Sequence, residues 1–240
     1  MLLDTSPFHA IVDSRLSRGL GGHWYGVYPA LVTDLKDPDG QGRVKVKLPW
    51  SPDTSGGQYE TWARLAVLLA GNNRGTWFIP DVNDEVLIAF EAGDPVRPYV
   101  LGGLWNGSDA APASMDGGGQ NNLKVIRSRN GVKITLDDQD GQEKLIVETP
   151  GGQKATFQDG PGTITIEDSN GNSVTLQSSG ITINTSGQFT VNASTITLTA
   201  GTITGSAGTA TFTGTVIASA ALQTPSVIGA SYTPGAGNIW

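Results

Sequence analysis

The chain has 240 residues, a formal net charge of −7, 33 Gly, 13 Pro, no Cys and two Met, a length that allows one or two domains. The lack of cysteine excludes a disulfide scaffold and any thiolate metal site, and no apolar run approaches the ~20 residues that cross a bilayer as a helix. The acidic balance argues against general nucleic-acid binding, whose affinity comes from Lys and Arg on phosphates.

Residues 1–23 read as a leader. The stretch 1–7 has no basic start and carries Asp4 inside its apolar patch, so it is not a secretory signal. Phe8, Ile11, Val12 and Leu16 fall on one short helical stripe, closed off by Gly19, Gly21 and Gly22. Two readings stand: a frayed end, or a segment that docks on a hub protein.

Residues 24–105 read as compact all-β. Strands are expected over 24–35, with Pro29 interrupting, and over 43–48, 61–69, 85–90 and 99–104. Asp37-Pro38-Asp39-Gly40 is a strong turn signal. About five strands in about 80 residues suit a small Greek-key barrel of OB type. Trp50, Trp62, Trp77 and Trp105 lie at or near strand ends. They are either a stacking surface for bases or sugars or aromatics that plug the barrel and pack on neighbours, and the scarcity of basic residues favours packing.

Residues 106–122 are rich in Gly, Ala, Ser, Asn and Pro and read as a linker. From Leu123 onward β repeats begin, at first with charged edges, as in Val132/Ile134/Leu136 and Leu145/Val147. Every Asp, Glu, Lys, Arg and His lies before Ser169; beyond it the steps are Val174/Leu176, Ile181/Ile183, Phe189/Val191, Ile196/Leu198, Ile203 and Ala210/Phe212. Thr, Ser, Asn and Gly fill the gaps, and alternation of this kind is the period of a half-buried strand.

One chain of such strands has a narrow apolar face and edges rich in unpaired backbone groups, and units of this kind stack on neighbours to bury their cores. Three identical chains wound round one axis pool three thin stripes into one core, each face then being a sheet with strands from all three. The expectation is an all-β protein: an OB-fold barrel (24–105) followed by an intertwined trimeric β-helix (123–240). Ile181, Ile183, Phe189, Val191, Ile196 and Leu198 should point to the three-fold axis, with Thr182, Thr190 and Thr197 outside. About twelve transverse strands at ~4.8 Å would give a needle on the order of 60 Å long.

Candidate chemistry is thin. The stretches ending in Gly40, Gly141 and Gly171 resemble calcium loops, but each puts an apolar residue (Leu35, Leu136, Ile166) where the first carboxylate ligand is required. They read as Asp/Asn-Gly turns. His9 and His23 have no partner at metal or catalytic spacing, and no Walker loop, Gly-x-Ser-x-Gly elbow or Cys nucleophile occurs. The expectation is therefore a non-enzymatic protein with no catalytic residues, no metal and no cofactor. The Thr-x-Thr steps at 195–199 and 209–213 are the pattern of an ice-binding face, but their spacing is irregular, and outward β-branched residues cover a sheet without charge.

The middle of the chain is where a resemblance appears. The run from Asp37 to Trp50, then Trp62-Ala63-Arg64-Leu65-Ala66, Gly75-Thr76-Trp77-Phe78-Ile79-Pro80, Asp84 through Pro95, and Arg97 through Asn106 resemble in order the OB domain of phage tail spikes and VgrG-type spikes. In that family the barrel is followed by a trimeric β-helical needle. The resemblance implies the membrane-puncturing central spike at the baseplate of a contractile injection apparatus, either a phage-like tail or an extracellular injection particle, with a type VI system a further possibility. It implies assembly in the cytoplasm, delivery to or through a target envelope, a separate hub protein and a PAAR-type tip protein. Some needles of the family hold iron through a His-x-His pair at their tip, which this sequence lacks. Tyr232, Pro234, Gly235, Gly237, Asn238, Ile239 and Trp240, where the apolar rhythm stops, are then expected to form a blunt platform for the tip protein. The rival from another class is an OB module that binds nucleic acid or glycan on a β-solenoid stalk; a basic or aromatic groove would favour it.

Overall fold

A computed structural model of the chain describes residues 23–52, 55–226 and 228–230. The candidate hub-docking residues Phe8, Ile11, Val12 and Leu16 lie outside the described residues, as do the candidate tip residues Tyr232, Pro234, Gly235, Gly237, Asn238, Ile239 and Trp240. The chain divides into two units, Met1–Gln188 and Phe189–Trp240.

The first unit opens with seven strands: β1 (Val27–Asp34), β2 (Val44–Pro52), β3 (Gln58–Leu65), β4 (Ala70–Gly71), β5 (Arg74–Gly75), β6 (Glu85–Phe90) and β7 (Pro98–Gly103). Five of them close a barrel in the order β1-β2-β3-β7-β6, with β1 returning to pair with β6. All barrel pairs are antiparallel except β3 with β7, and this order in a five-stranded closed barrel is that of an OB fold. Alternation explains the closure: Val32, Val44, Val46, Leu48, Ala63, Val86 and Ile88 point inward and are wholly buried, while every second residue faces out. One end of the core is aromatic. Trp24 lies edge-on to Trp50 (5.3 Å) and Tyr59 (5.5 Å) and tilted against Phe90 (4.9 Å), and the Trp50 indole N–H donates to the Pro29 carbonyl at 2.9 Å.

The turn between β1 and β2 is built on Asp37. Its Oδ1 accepts from the Asp39 amide (3.1 Å), Arg43 Nε (3.1 Å) and Arg43 Nη2 (2.6 Å). Its Oδ2 accepts from the amides of Gln41 (2.8 Å) and Arg43 (3.1 Å). The other two calcium-like stretches are likewise turns. Gly141 and Gly171 take φ of 68° and 84°, the left-handed region where glycine is at home. The Asp168 carboxylate accepts from the Asn170 and Asn172 amides (2.8 and 2.9 Å). The Asn172 side chain first, then the two backbone N–H groups, bring its pKa down to about 2.

After the linker come β8 (Leu123–Arg127), β9 (Lys133–Asp137), β10 (Lys144–Glu148), β11 (Lys154–Gln158), β12 (Thr163–Glu167), β13 (Ser173–Gln177) and β14 (Gly180–Asn184). They form one seven-stranded antiparallel meander in which each strand pairs only with its sequence neighbours. This differs from the expectation that each face mixes strands of three chains. The connections here are short glycine-bearing turns, four of the six carrying Asp-Gly or Asn-Gly (140–141, 159–160, 130–131, 170–171), which return the chain directly beside itself. In the second unit no strand occurs among the described residues, and the steps Phe189/Val191, Ile196/Leu198 and Ala210/Phe212 lie in chain without intrachain sheet pairing.

Candidate functional site: an open apolar sheet face

The register of the meander sorts its residues into rows, because residues directly opposite each other on paired strands share a face. One row runs Leu136, Leu145, Phe157, Ile164, Leu176, Ile181. A second runs Ile126, Ile134, Val147, Ala155, Ile166, Val174, Ile183. Both rows lie two residues apart on every strand and so on the same face. The residues between them form the row Val125, Thr135, Ile146, Thr156, Thr165, Thr175, Thr182 on the opposite face.

That opposite face also carries a ladder of charge along one end of the strands. Lys133 sits opposite Glu148, Glu148 opposite Lys154, and Lys154 opposite Glu167. Nζ of Lys133 meets the Glu148 carboxylate at 2.5 Å, and Nζ of Lys154 meets that of Glu167 at 3.2 Å. Lys133 holds the Glu148 carboxyl below its ordinary value. One face is therefore apolar in two continuous rows, and the other is threonine and paired charge.

The apolar rows are uncovered in the single chain. Phe157, Ile166 and Ile183 are 46, 55 and 53% exposed, where a core residue would be near zero. Sheets bury one face on something, and among the described residues this one finds at most partial cover, Ile164, Val174 and Leu176 being half-buried. Of the residues expected at a trimer core, Ile181 and Ile183 stand in the two apolar rows and Thr182 on the other face. Phe189, Val191, Ile196 and Leu198 are exposed and belong to the unpaired second unit. Sequence reading did not single out Leu136, Leu145, Phe157, Ile164, Ile166 or Val147 as interface residues, although their i, i+2 spacing is the same signal.

On the barrel wall two of the cations that nucleic acid would need are already paired. Arg43 is engaged by Asp37 and Asp39, and Lys45 by Glu60 at 3.5 Å, so these cations are already neutralised where phosphates would need them. Nor do the tryptophans gather as one platform. Trp50 is taken up by the aromatic end of the core, stacked on Tyr28 at 4.7 Å, and Trp62 lies under Arg43 and Lys45. Trp77 and Trp105 are 75 and 72% exposed in the single chain, so neither plugs the barrel, and of the expected packing only that on a neighbouring copy is left to them. Among the described residues the buried tryptophan is Trp24, 5% exposed, which the sequence marks only as the start of a strand.

A closed OB barrel joined to a sheet with one face left open defines a structural subunit built to associate. Two family models match it: residues 28–105 match the type VI secretion system/phage-baseplate injector OB domain, and residues 144–228 match the phage baseplate V C-terminal trimerisation domain. The chain thus carries stretches similar to both the injector OB domain and the trimerisation domain of baseplate spike proteins. It is 31% identical over 122 residues to the type VI secretion system spike protein VgrG1b of Pseudomonas aeruginosa, covering 48% of this chain and 16% of that relative. To the spike protein VgrG3 of Vibrio cholerae it is 29% identical over 113 residues, covering 45% and 11%. To the actin cross-linking toxin VgrG1 of Vibrio cholerae it is 26% identical over 111 residues, covering 45% and 10%. The matched stretch is thus less than a fifth of the length of each of these relatives.

Proposed function

We propose that three copies of this chain form the central spike at the baseplate of a contractile injection apparatus, and that the spike punctures a target membrane mechanically, without catalysis. The observation that carries this reading is the two-row apolar face, open along β8–β14 in a single chain and overlapping the segment that matches a trimerisation domain. Three such faces turned inward make a dry core. On the opposite face the paired charges then meet water, while Thr135 at its centre is already buried within the chain.

The construction changes along the stalk. Over β8–β14 each chain contributes a complete sheet of its own, so this part is a three-sheet prism. From Phe189 onward the described residues have no intrachain sheet partners, and N–H and C=O groups in a packed stalk must be paired. Strands of the three chains therefore interleave there, with Phe189, Val191, Ile196 and Leu198 continuing the core begun by Ile181 and Ile183. Interchain hydrogen bonds stiffen the rod, and its uncharged surface lowers the desolvation cost of entering lipid.

Further components follow from the family resemblance: a separate hub protein held through Phe8, Ile11, Val12 and Leu16, and a PAAR-type tip received by 232–240. Assembly would take place in the cytoplasm, before delivery to the target envelope. Light scattering on the purified full chain tests the core of the reading. The expected result is a trimer that survives detergent at room temperature; a folded monomer of 25.0 kDa would remove it.

A further inference from the structure

Between β3 and β6 the chain makes an ordered arm whose apolar side chains find no cover. β4 and β5 pair as a miniature hairpin, and the Thr76 amide donates to the Leu69 carbonyl at 2.9 Å. On its flanks Leu68 is 97% exposed, Leu69 52%, Trp77 75% and Phe78 69%. The arm is anchored at both ends: the Ala66 amide donates to the Val100 carbonyl (2.8 Å), and Ile79 packs against the barrel core. The far edge of the Trp77 ring reaches the β1–β2 turn, where a Cβ on Gly42 would come 3.0 Å from it. Backbone bonds therefore hold four large apolar side chains out in water. Exposed patches of this kind mark contact sites.

What covers them follows from size and anchoring. The barrel is tied to the stalk sheet by Arg129, in the β8–β9 turn, whose Nη1 meets the Asp81 carboxylate at the end of the arm at 2.7 Å. Five-residue strands at ~3.4 Å per residue make each face of a three-sheet prism only ~17 Å wide. A barrel of the length matched here, residues 28–105, measures on the order of 30 Å across. Three such bodies fixed to the same end of so slender a prism must touch one another. A three-fold contact is heterologous, so the surface of one copy meets a different surface on the next.

We infer that the 66–80 arm is a second, barrel-level interface, its Leu68, Leu69, Trp77 and Phe78 packing on the barrel of the neighbouring copy. The inference rests on the trimer reading above. It closes the barrels into a collar, so that load arriving at one barrel is shared by three.

The chain has no cysteine, so a single introduced thiol reports on one place. Leu68→Cys, with Phe78→Cys as a second site and Ser114→Cys in the exposed linker as reference, is made in the full chain. Each variant is alkylated with iodoacetamide while light scattering records its mass. In the trimer, the Leu68 and Phe78 thiols should react at least tenfold more slowly than the Ser114 thiol. Equal rates in a sample of trimer mass would overturn the collar and leave the arm for a different protein, with the trimer standing. A monomer mass, whatever the rates, would overturn the collar together with the trimer.

Discussion

Asp37 shows how much a single residue of this barrel settles. Its carboxylate accepts from three backbone amides and from the Arg43 guanidinium, bonds that only the ionised form can fully satisfy. Arg43 is the largest cause, and it holds the Asp37 carboxyl well below the ordinary carboxylate range. A carboxyl whose folded pKa is depressed adds stability above its unfolded value of about 3.9 and loses it as the pH falls toward the folded one. Asp37→Asn should therefore lower the urea midpoint at pH 7, and its gap to the native chain should narrow steadily from about pH 4 downward. A gap unchanged down to pH 3 would mean that the turn does not depend on the charge. This turn was legible in the sequence, since Asp-Pro-Asp-Gly specifies it locally. Trp24 was not: its burial depends on Trp50, Tyr59 and Phe90 arriving from distant strands. For Trp77 and Trp105 the sequence left the cover open, because hydrophobicity announces burial without naming the chain that provides it, and their own chain leaves them exposed.

Among the elements, β6 was expected over 85–90 and occupies those residues because Glu-Val-Leu-Ile-Ala-Phe alternates in and out without a break. The strand expected over 61–69 ends at Leu65. Beyond it Val67, Leu68 and Leu69 run consecutively, which no alternating wall can use, and they leave the barrel as the arm. In the stalk the apolar-x-apolar steps located strands as far as Ile181/Ile183, whereas those from Phe189/Val191 onward lie in no intrachain strand among the described residues, so seven strands stand where about twelve were expected. Pairing within the chain rather than between chains could be read only once the register was known. That register makes a sharp test, since a slip of one residue would exchange the two faces. Ile183→Asp places a carboxylate in an apolar row and, in a trimer, three of them around one dry axis, costing several kcal/mol per trimer. Thr182→Asp puts the same charge on the outer face and should be tolerated. Chemical denaturation of the two variants checks the assignment: indistinguishable midpoints would mean that the inward and outward faces are misassigned.

For the whole molecule, the decisive contrast is between a unit that satisfies its own backbone and one that does not. Through Gln188 the chain builds a barrel core and a sheet with its own hydrogen bonds; from Phe189 the described residues include exposed apolar ones, Phe212, Ile217 and Leu222 among them, and form no sheet of their own. Ordering about fifty residues costs on the order of 1 kcal/mol or more for each, which an isolated chain cannot recover from contacts it does not make. If three chains interleave there, their mutual hydrogen bonds and shared core make the second unit the lock of the assembly, and the prism before it a weaker, reversible association. A chain ending after Gln188 should thus keep a folded barrel, with unchanged near-ultraviolet circular dichroism from its aromatic cluster. Its trimer should dissociate on dilution, as an assembly governed by mass action does, whereas the full chain should stay trimeric in detergent. Sedimentation of both across a hundredfold range of concentration separates the two behaviours. Equal dissociation would show that the second unit adds no interchain bonds, and the stalk would then be held together by the β8–β14 faces alone.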